Sequence, residues 1–166
     1  MLNIGTVTRF IISRNEDKHM QDMQTPDITN LKLQKLLYYA QGHYLAEFDS
    51  QLFVNEIYKW KHGPVIPEIY NAFRYKFKDK TTDFIDMSCI SNDKDYPIAN
   101  IGKYDKFLTK IMAYYDQYTA WKLSEMTHEE NPWKETELNS IITLEKIRLF
   151  FNGEKIRRRI NNIFFS

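Results

Sequence analysis

The chain has 166 residues, 43% of them hydrophobic and 27% charged, with a net charge of +1. That is the length of one ordinary domain with enough apolar content for a core, and the near-zero charge removes any general argument for nucleic acid or an anionic membrane. One cysteine, Cys89, excludes an internal disulfide framework and fits a reducing cytoplasm.

Ile4, Val7, Phe10 and Ile11 recur at helical spacing. The amino end around them shows no basic start or cleavage site, so a cytoplasmic protein is expected. No run of about 18 apolar residues suggests a membrane span anywhere. A polar loop, NEDKHMQDMQTPD, is expected next, with Pro26 opposing helix. Thr29 and Asn30 are N-cap candidates for the strongest helix, LKLQKLLYYAQGHYLAEF, whose apolar face is Leu33, Leu36, Leu37, Ala40, Tyr44, Leu45 and Phe48. Gly42 costs such a helix about 1 kcal/mol relative to Ala, which predicts a neighbour crossing closely there. Tyr38 and Tyr39 adjoin, and one of them, taken as Tyr39, is expected to be available for contact.

LFVNEIYKW reads as extended. Gly63, Pro64 and Val65 then read as a strand-to-helix turn, since Pro is tolerated where a helix begins. Val65, Ile69, Tyr70, Phe73 and Phe77 give the next helical stripe. In TTDFIDMSCISNDKDYPIANIG, two β-prone runs flank an Asn-Asp-Lys-Asp turn, predicting a small hairpin or a mobile loop. Helices are expected from Lys103, from Thr119 through YTAWKLSEMTH, and from about Ile141 to a stop at Gly153. The fold class is therefore α+β, predominantly α-helical, with a small antiparallel β element. One domain spans 1–166, and 153–166 form a basic amphipathic extension.

Charge is unevenly spread. Residues 83–140 carry eleven acidic and six basic side chains, whereas residues 141–166 carry six basic and two acidic. Arg157, Arg158 and Arg159 are read either as a solvated face or as a docking site for an acidic partner or RNA.

Catalytic and cofactor patterns are missing. His19, His43, His62 and His128 are scattered, with no CxxC or HExxH, so no metal site is expected. Ser124, Glu125 and His128 make a triad only on paper, without a nucleophile elbow. Five glycines and no GxxxxGK[ST] leave no phosphate loop. Glu129 and Glu130 adjoin, and on a helix they would point apart. No cofactor is expected.

Three segments together carry a resemblance: ITNLKLQKLLYYAQGHYLA, IYKWKHGPVIPEIYNAF and LSEMTHEENPWKET. In this order and spacing the chain resembles the Panacea domain family, also called SocA-like or phage-associated GepA-like, over roughly Thr29 to Phe151. The resemblance implies an antitoxin that neutralises, by direct binding, a toxin encoded beside it. It also implies, for some members, an adaptor that presents the toxin to a protease. Neither role requires catalysis.

The partner-facing candidates are Tyr39, Trp60, His62, His128, Trp133, Arg157, Arg158 and Arg159. Trp60 and His62 either cover the turn or line a groove. His128 and Trp133 either hold their loop through hydrogen bonds to backbone or join Trp60 and His62 in one cleft. Two further readings are an enzyme using His62 and His128, and a nucleic-acid-binding regulator using Lys76, Lys78, Lys80 and the terminal arginines.

Overall fold

The computed structural model describes residues 1–23, 25, 28–74, 84–90, 92–97 and 101–153. Within them the elements run α1 (Ile4–Gln21), β1 (Ile28–Thr29), α2 (Asn30–Phe48), β2 (Tyr58–Trp60), β3 (Gly63–Val65) and α3 (Pro67–Arg74). There follow β4 (Phe84–Ile85), a 3₁₀ turn at Met87–Cys89, α4 (Lys103–Tyr115), α5 (Ala120–His128), α6 (Asn131–Lys134) and α7 (Leu144–Phe151). This is an α-dominated α+β fold with two antiparallel sheets of two strands each among the described residues. Lys76, Phe77, Lys78, Lys80, Arg157, Arg158 and Arg159 lie outside the described residues.

Thr29 starts the helix around which the rest is arranged. Its backbone is extended, and its Oγ1 accepts the Lys32 amide at 3.2 Å, an N-cap bond that satisfies one orphan donor. Asn30 is already helical; its Nδ2 donates to the Tyr70 carbonyl, and its Oδ1 accepts from Gln34. The expected single apolar face understates α2, because every side chain from Lys32 to Leu45 is buried. Helices α1, α3, α4, α5 and α7 and strands β1 and β3 pack around it.

Gly42 shows why α7 comes so close. A Cβ at that position would overlap the Phe151 ring, so the glycine gives up helix propensity in exchange for a tight crossing. Phe151 in turn sits edge-on to Tyr38, Tyr39 and His43. Helix α5 is capped at Thr119 as expected from sequence, whereas α7 begins at Leu144 and not near Ile141, with Thr143 as its cap. Thr119 Oγ1 accepts the Lys122 amide at 3.1 Å, Thr143 Oγ1 accepts the Lys146 amide at 3.3 Å, and α7 stops before Gly153.

Three local readings need correction. Helix α1 does not yield to a polar loop at Asn15 but continues to Gln21. Its polar end is held by tertiary bonds, with Glu16 accepting the Met87 amide and Lys18 pairing with Asp116. Strand β4 does not form a hairpin with its sequence neighbours. It pairs with β1 in the register Ile28–Ile85 and Thr29–Phe84, while the Asn92–Asp95 turn is closed by an Asn92 side chain accepting the Asp95 amide. Finally, Gly63-Pro64-Val65 is not a helix start. It is the second strand of a hairpin, paired Tyr58–Val65 and Trp60–Gly63, and the proline in the first turn of α3 is Pro67.

No helix among the described residues is long and apolar enough to cross a membrane. The packing at Gly42 makes a direct expectation. Gly42→Ala forces a methyl into the Phe151 ring and lowers unfolding free energy by about 1–3 kcal/mol in urea titration. The double variant with Phe151→Leu recovers part of that loss.

Candidate functional site

The hairpin β2–β3 and the α5–α6 corner meet on one side of α2, and four of the five candidates among the described residues, Trp60, His62, His128 and Trp133, collect there. Lys61 and His62 form the hairpin turn, both with ordinary negative φ. The positive φ comes one residue later, at Gly63 (φ 104°). Two-residue hairpin loops usually place positive φ inside the turn, so here the glycine takes the backbone reversal that the turn residues do not. Gly63 also lies against α2 and α5: a Cβ there would meet Thr127 Oγ1 at 2.6 Å and Lys35 Nζ at 2.8 Å.

Side chains fasten the hairpin backbone from below. Lys35 Nζ donates to the Pro64 carbonyl at 2.9 Å, and Gln34 Oε1 accepts the Ile66 amide at 2.9 Å. From α5, Ser124 Oγ donates to the His62 carbonyl at 2.8 Å. Trp133 Nε1 donates to the Trp60 carbonyl at 3.1 Å. The outer edge of β2 is bonded backbone to backbone with the 139–142 segment, Lys59 donating to Ser140 and Ile142 to Ile57.

Alternation along β2 separates two aromatic groups. Trp60 packs edge-on against Tyr70 of α3 at 5.0 Å between ring centroids. Its neighbour Lys59 places Nζ over the Trp133 ring at 4.1 Å and donates to the Thr136 carbonyl. Trp133 stacks on His128 at 4.1 Å. The structure thus brings His128 and Trp133 together, and joins them to Trp60 through its backbone and not its ring. His62 is exposed and meets the Trp121 ring edge-on at 5.6 Å. Tyr39 is corrected: it is 1% exposed, so it faces no partner in this conformation.

Below the corner lies Glu130, itself buried. It accepts hydrogen bonds from Tyr38 and Tyr39 hydroxyls, each at 2.9 Å. Its neighbour Glu129 points the other way and pairs with Lys134 at 2.7 Å, as two adjacent residues near a helix end should. Burial, reinforced by the Glu130 charge, holds the Tyr38 phenol well above its ordinary range. Burial lowers Lys35 to about 7. His128 is also lowered, first by burial and then by the nearby charges of Lys35 and His62, against a hydrogen bond to the Lys61 backbone.

Chemically, this arrangement offers aromatic faces, an exposed imidazole and fixed backbone. The paper triad does not assemble, since the Ser124 hydroxyl is committed to the His62 carbonyl and Glu125 pairs with Lys122 at 3.1 Å. Among the described residues no group of three or more His, Cys, Asp or Glu could hold a metal ion.

Sequence reasoning missed Trp121, Lys35 and Glu130. Trp121, 64% exposed, was within reach. With Thr119 as cap, a 3.6-residue period puts Trp121 opposite the buried Leu123 and Thr127. Lys35 and Glu130 gave no such signal, because a buried ion looks like a surface one in sequence.

Residues 33–134 match the family described as antitoxin SocA-like, Panacea domain. Among curated proteins, antitoxin SocA of Caulobacter vibrioides (strain NA1000 / CB15N) is 46% identical over 46 residues, which is 28% of this chain and 24% of that protein. The aligned stretch therefore spans about a quarter of that relative's length. No solved structure matches the chain.

The Glu130 pair gives the test of this site's rigidity. Hydrogen bonds to a buried charge are worth about 1.5–3 kcal/mol, so Tyr38→Phe lowers unfolding free energy by that amount. Adding Tyr39→Phe costs more than the sum of the single losses, because the second removal strips Glu130 of both phenol donors. Urea titration of the three variants reads this directly.

Proposed function

Since the chain belongs to the antitoxin SocA-like, Panacea domain family, we propose that it is the antitoxin of a toxin–antitoxin pair and neutralises its cognate toxin by direct binding in the cytoplasm. The partner in this reading is a protein encoded by an adjacent gene. The chain acts as one domain over 1–166, with the basic extension 153–166 steering encounter with an acidic partner rather than setting affinity.

The observation that carries the location of binding is Trp121. An indole left 64% exposed on a capped helix, edge-on to an exposed imidazole, is a large anchor awaiting cover. Tryptophan is enriched among residues that dominate binding energy. The surrounding backbone is fixed beforehand, since Ser124 of the same helix holds the His62 carbonyl. Little ordering entropy is then lost on association. Trp60, His128 and Trp133 serve this face as supports. The Trp60 ring packs on Tyr70, the His128 and Trp133 rings lie against each other, and Trp133 Nε1 donates to the Trp60 carbonyl.

Co-expression with the product of the neighbouring gene tests the role, and calorimetry on the purified pair tests the place. The wild type should restore growth and bind. Trp121→Ala should weaken binding about 10- to 100-fold with an unchanged melting temperature, and His62→Ala should do so by less. If no neighbouring product is toxic or co-purifies, the antitoxin role fails. If the toxin binds both variants as tightly as wild type, the role stands and the location fails.

A further inference from the structure

The hairpin is attached in two different ways on its two sides. Along the outer edge of β2, its backbone is bonded to backbone of the 139–142 segment. On the inner side, against α2 and α5, three side chains reach its backbone: Lys35 to the Pro64 carbonyl, Gln34 to the Ile66 amide and Ser124 to the His62 carbonyl. The outer side has the build of a hinge and the inner side that of a latch. We propose that β2–β3 is a strap that opens as a unit about its outer edge, held shut when Lys35 is a neutral amine and loosened when it is an ammonium ion.

Lys35 is the one latch residue that titrates, and it is wholly buried. No carboxylate among the described residues lies within ion-pairing distance of it; its partner is a carbonyl. A single acceptor leaves two ammonium hydrogens unsatisfied, at a cost that hydration on opening would relieve. Around it, α5 brings Thr127 and His128, with Glu129 beyond and the turn's His62 behind His128. The α5–α6 junction brings Glu130, which is occupied by Tyr38 and Tyr39. Lys32, one turn earlier on α2, pairs with Asp116. The two imidazoles add repulsion when charged, so acid loosens the strap further rather than compensating.

Opening exposes Val65 and Ile66, both buried, which keeps the open state minor. It uncovers a polar floor: the Ser124 hydroxyl, Thr127 and His128, whose Nε2 has no hydrogen-bond partner among the described residues.

The direction with pH follows from linkage. Closed, Lys35 titrates near 7, and open it returns toward 10.5. Between these values the open state holds more protons, so opening becomes harder as pH rises from about 7 and is easiest, and level with respect to Lys35, below it. The limit is about tenfold per pH unit.

Native-state hydrogen exchange between pH 5.5 and 8.5 tests this. The Ile66 amide should show a protection factor well below those of Leu36 and Leu37 at the centre of α2. That protection should stay low below pH 7, where charging of the imidazoles lowers it further, and rise up to about tenfold from 7.5 to 8.5. Lys35→Met should abolish the rise. If Ile66 exchanges only together with Leu36 and Leu37, there is no separate opening and the strap is overturned. A wild-type Ile66 protection that does not vary with pH overturns the lysine latch. The wild-type profile decides both points, should Lys35→Met fail to fold.

Discussion

A helix sunk on every side must find a partner for every polar group it carries, and α2 carries many. Lys32 reaches Asp116, Gln34 the Ile66 amide and Lys35 the Pro64 carbonyl. Gln41 clasps the chain after the helix, donating to the Phe53 carbonyl and accepting the Leu52 amide. His43 Nε2 shares a 2.6 Å hydrogen bond with the Tyr115 hydroxyl, and Tyr38 and Tyr39 converge on Glu130. Each bond ties down a different part of the chain. An apolar α2 would bury well but would fix none of these registers, because dispersion and burial have no direction. A missing partner here leaves a desolvated polar group, so the network stands or falls together.

That constraint reaches the surface through the hairpin. Its backbone polar groups are bonded from below by side chains of α2 and α5, and so its turn residues are left facing outward. His62 and Lys61 are exposed while Gly63 and Pro64 beside them are buried. Trp121 stands next to His62 because α5 is anchored by the Ser124 bond to that same turn. A rigid, partly apolar patch is thus built without spending core residues on it.

Much of the fold was readable from the chain. The caps at Thr29 and Thr119 and the helical stripes of α2 and α4 are local, and local signals survive in sequence. So did the close crossing at Gly42, since an unfavourable glycine in a strong helix needs a reason. Pairing was not readable. Strand β4 joins β1 across more than fifty residues, and two-residue strands have too little pattern to announce a partner. Gly-Pro read as a helix start because Pro67, three residues on, satisfies the same rule. Tyr39 and Lys35 were misjudged or overlooked for one reason. Burial of a polar side chain depends on a partner distant in sequence, here Glu130 for the tyrosine and Pro64 for the lysine.

The segment that matches the family, residues 33–134, begins inside α2 and ends with α6. Nearly every polar fastening of α2 has both ends within it: Gln34 with Ile66, Lys35 with Pro64, Tyr38 and Tyr39 with Glu130, Gln41 with Leu52 and Phe53, His43 with Tyr115. What α1 and α7 add to this hub is chiefly apolar closure, through Ile4, Val7, Ile11 and Ile12 on one side and Ile147 and Phe151 on the other. Apolar closure tolerates substitution if volume is kept, whereas a buried polar network does not. The inner fastening of the hairpin and the α5–α6 corner is therefore set within the matched segment, and the outer edge of β2 is bonded to residues 139–142 just beyond it. The flanking helices can vary in sequence and still hold that face in place.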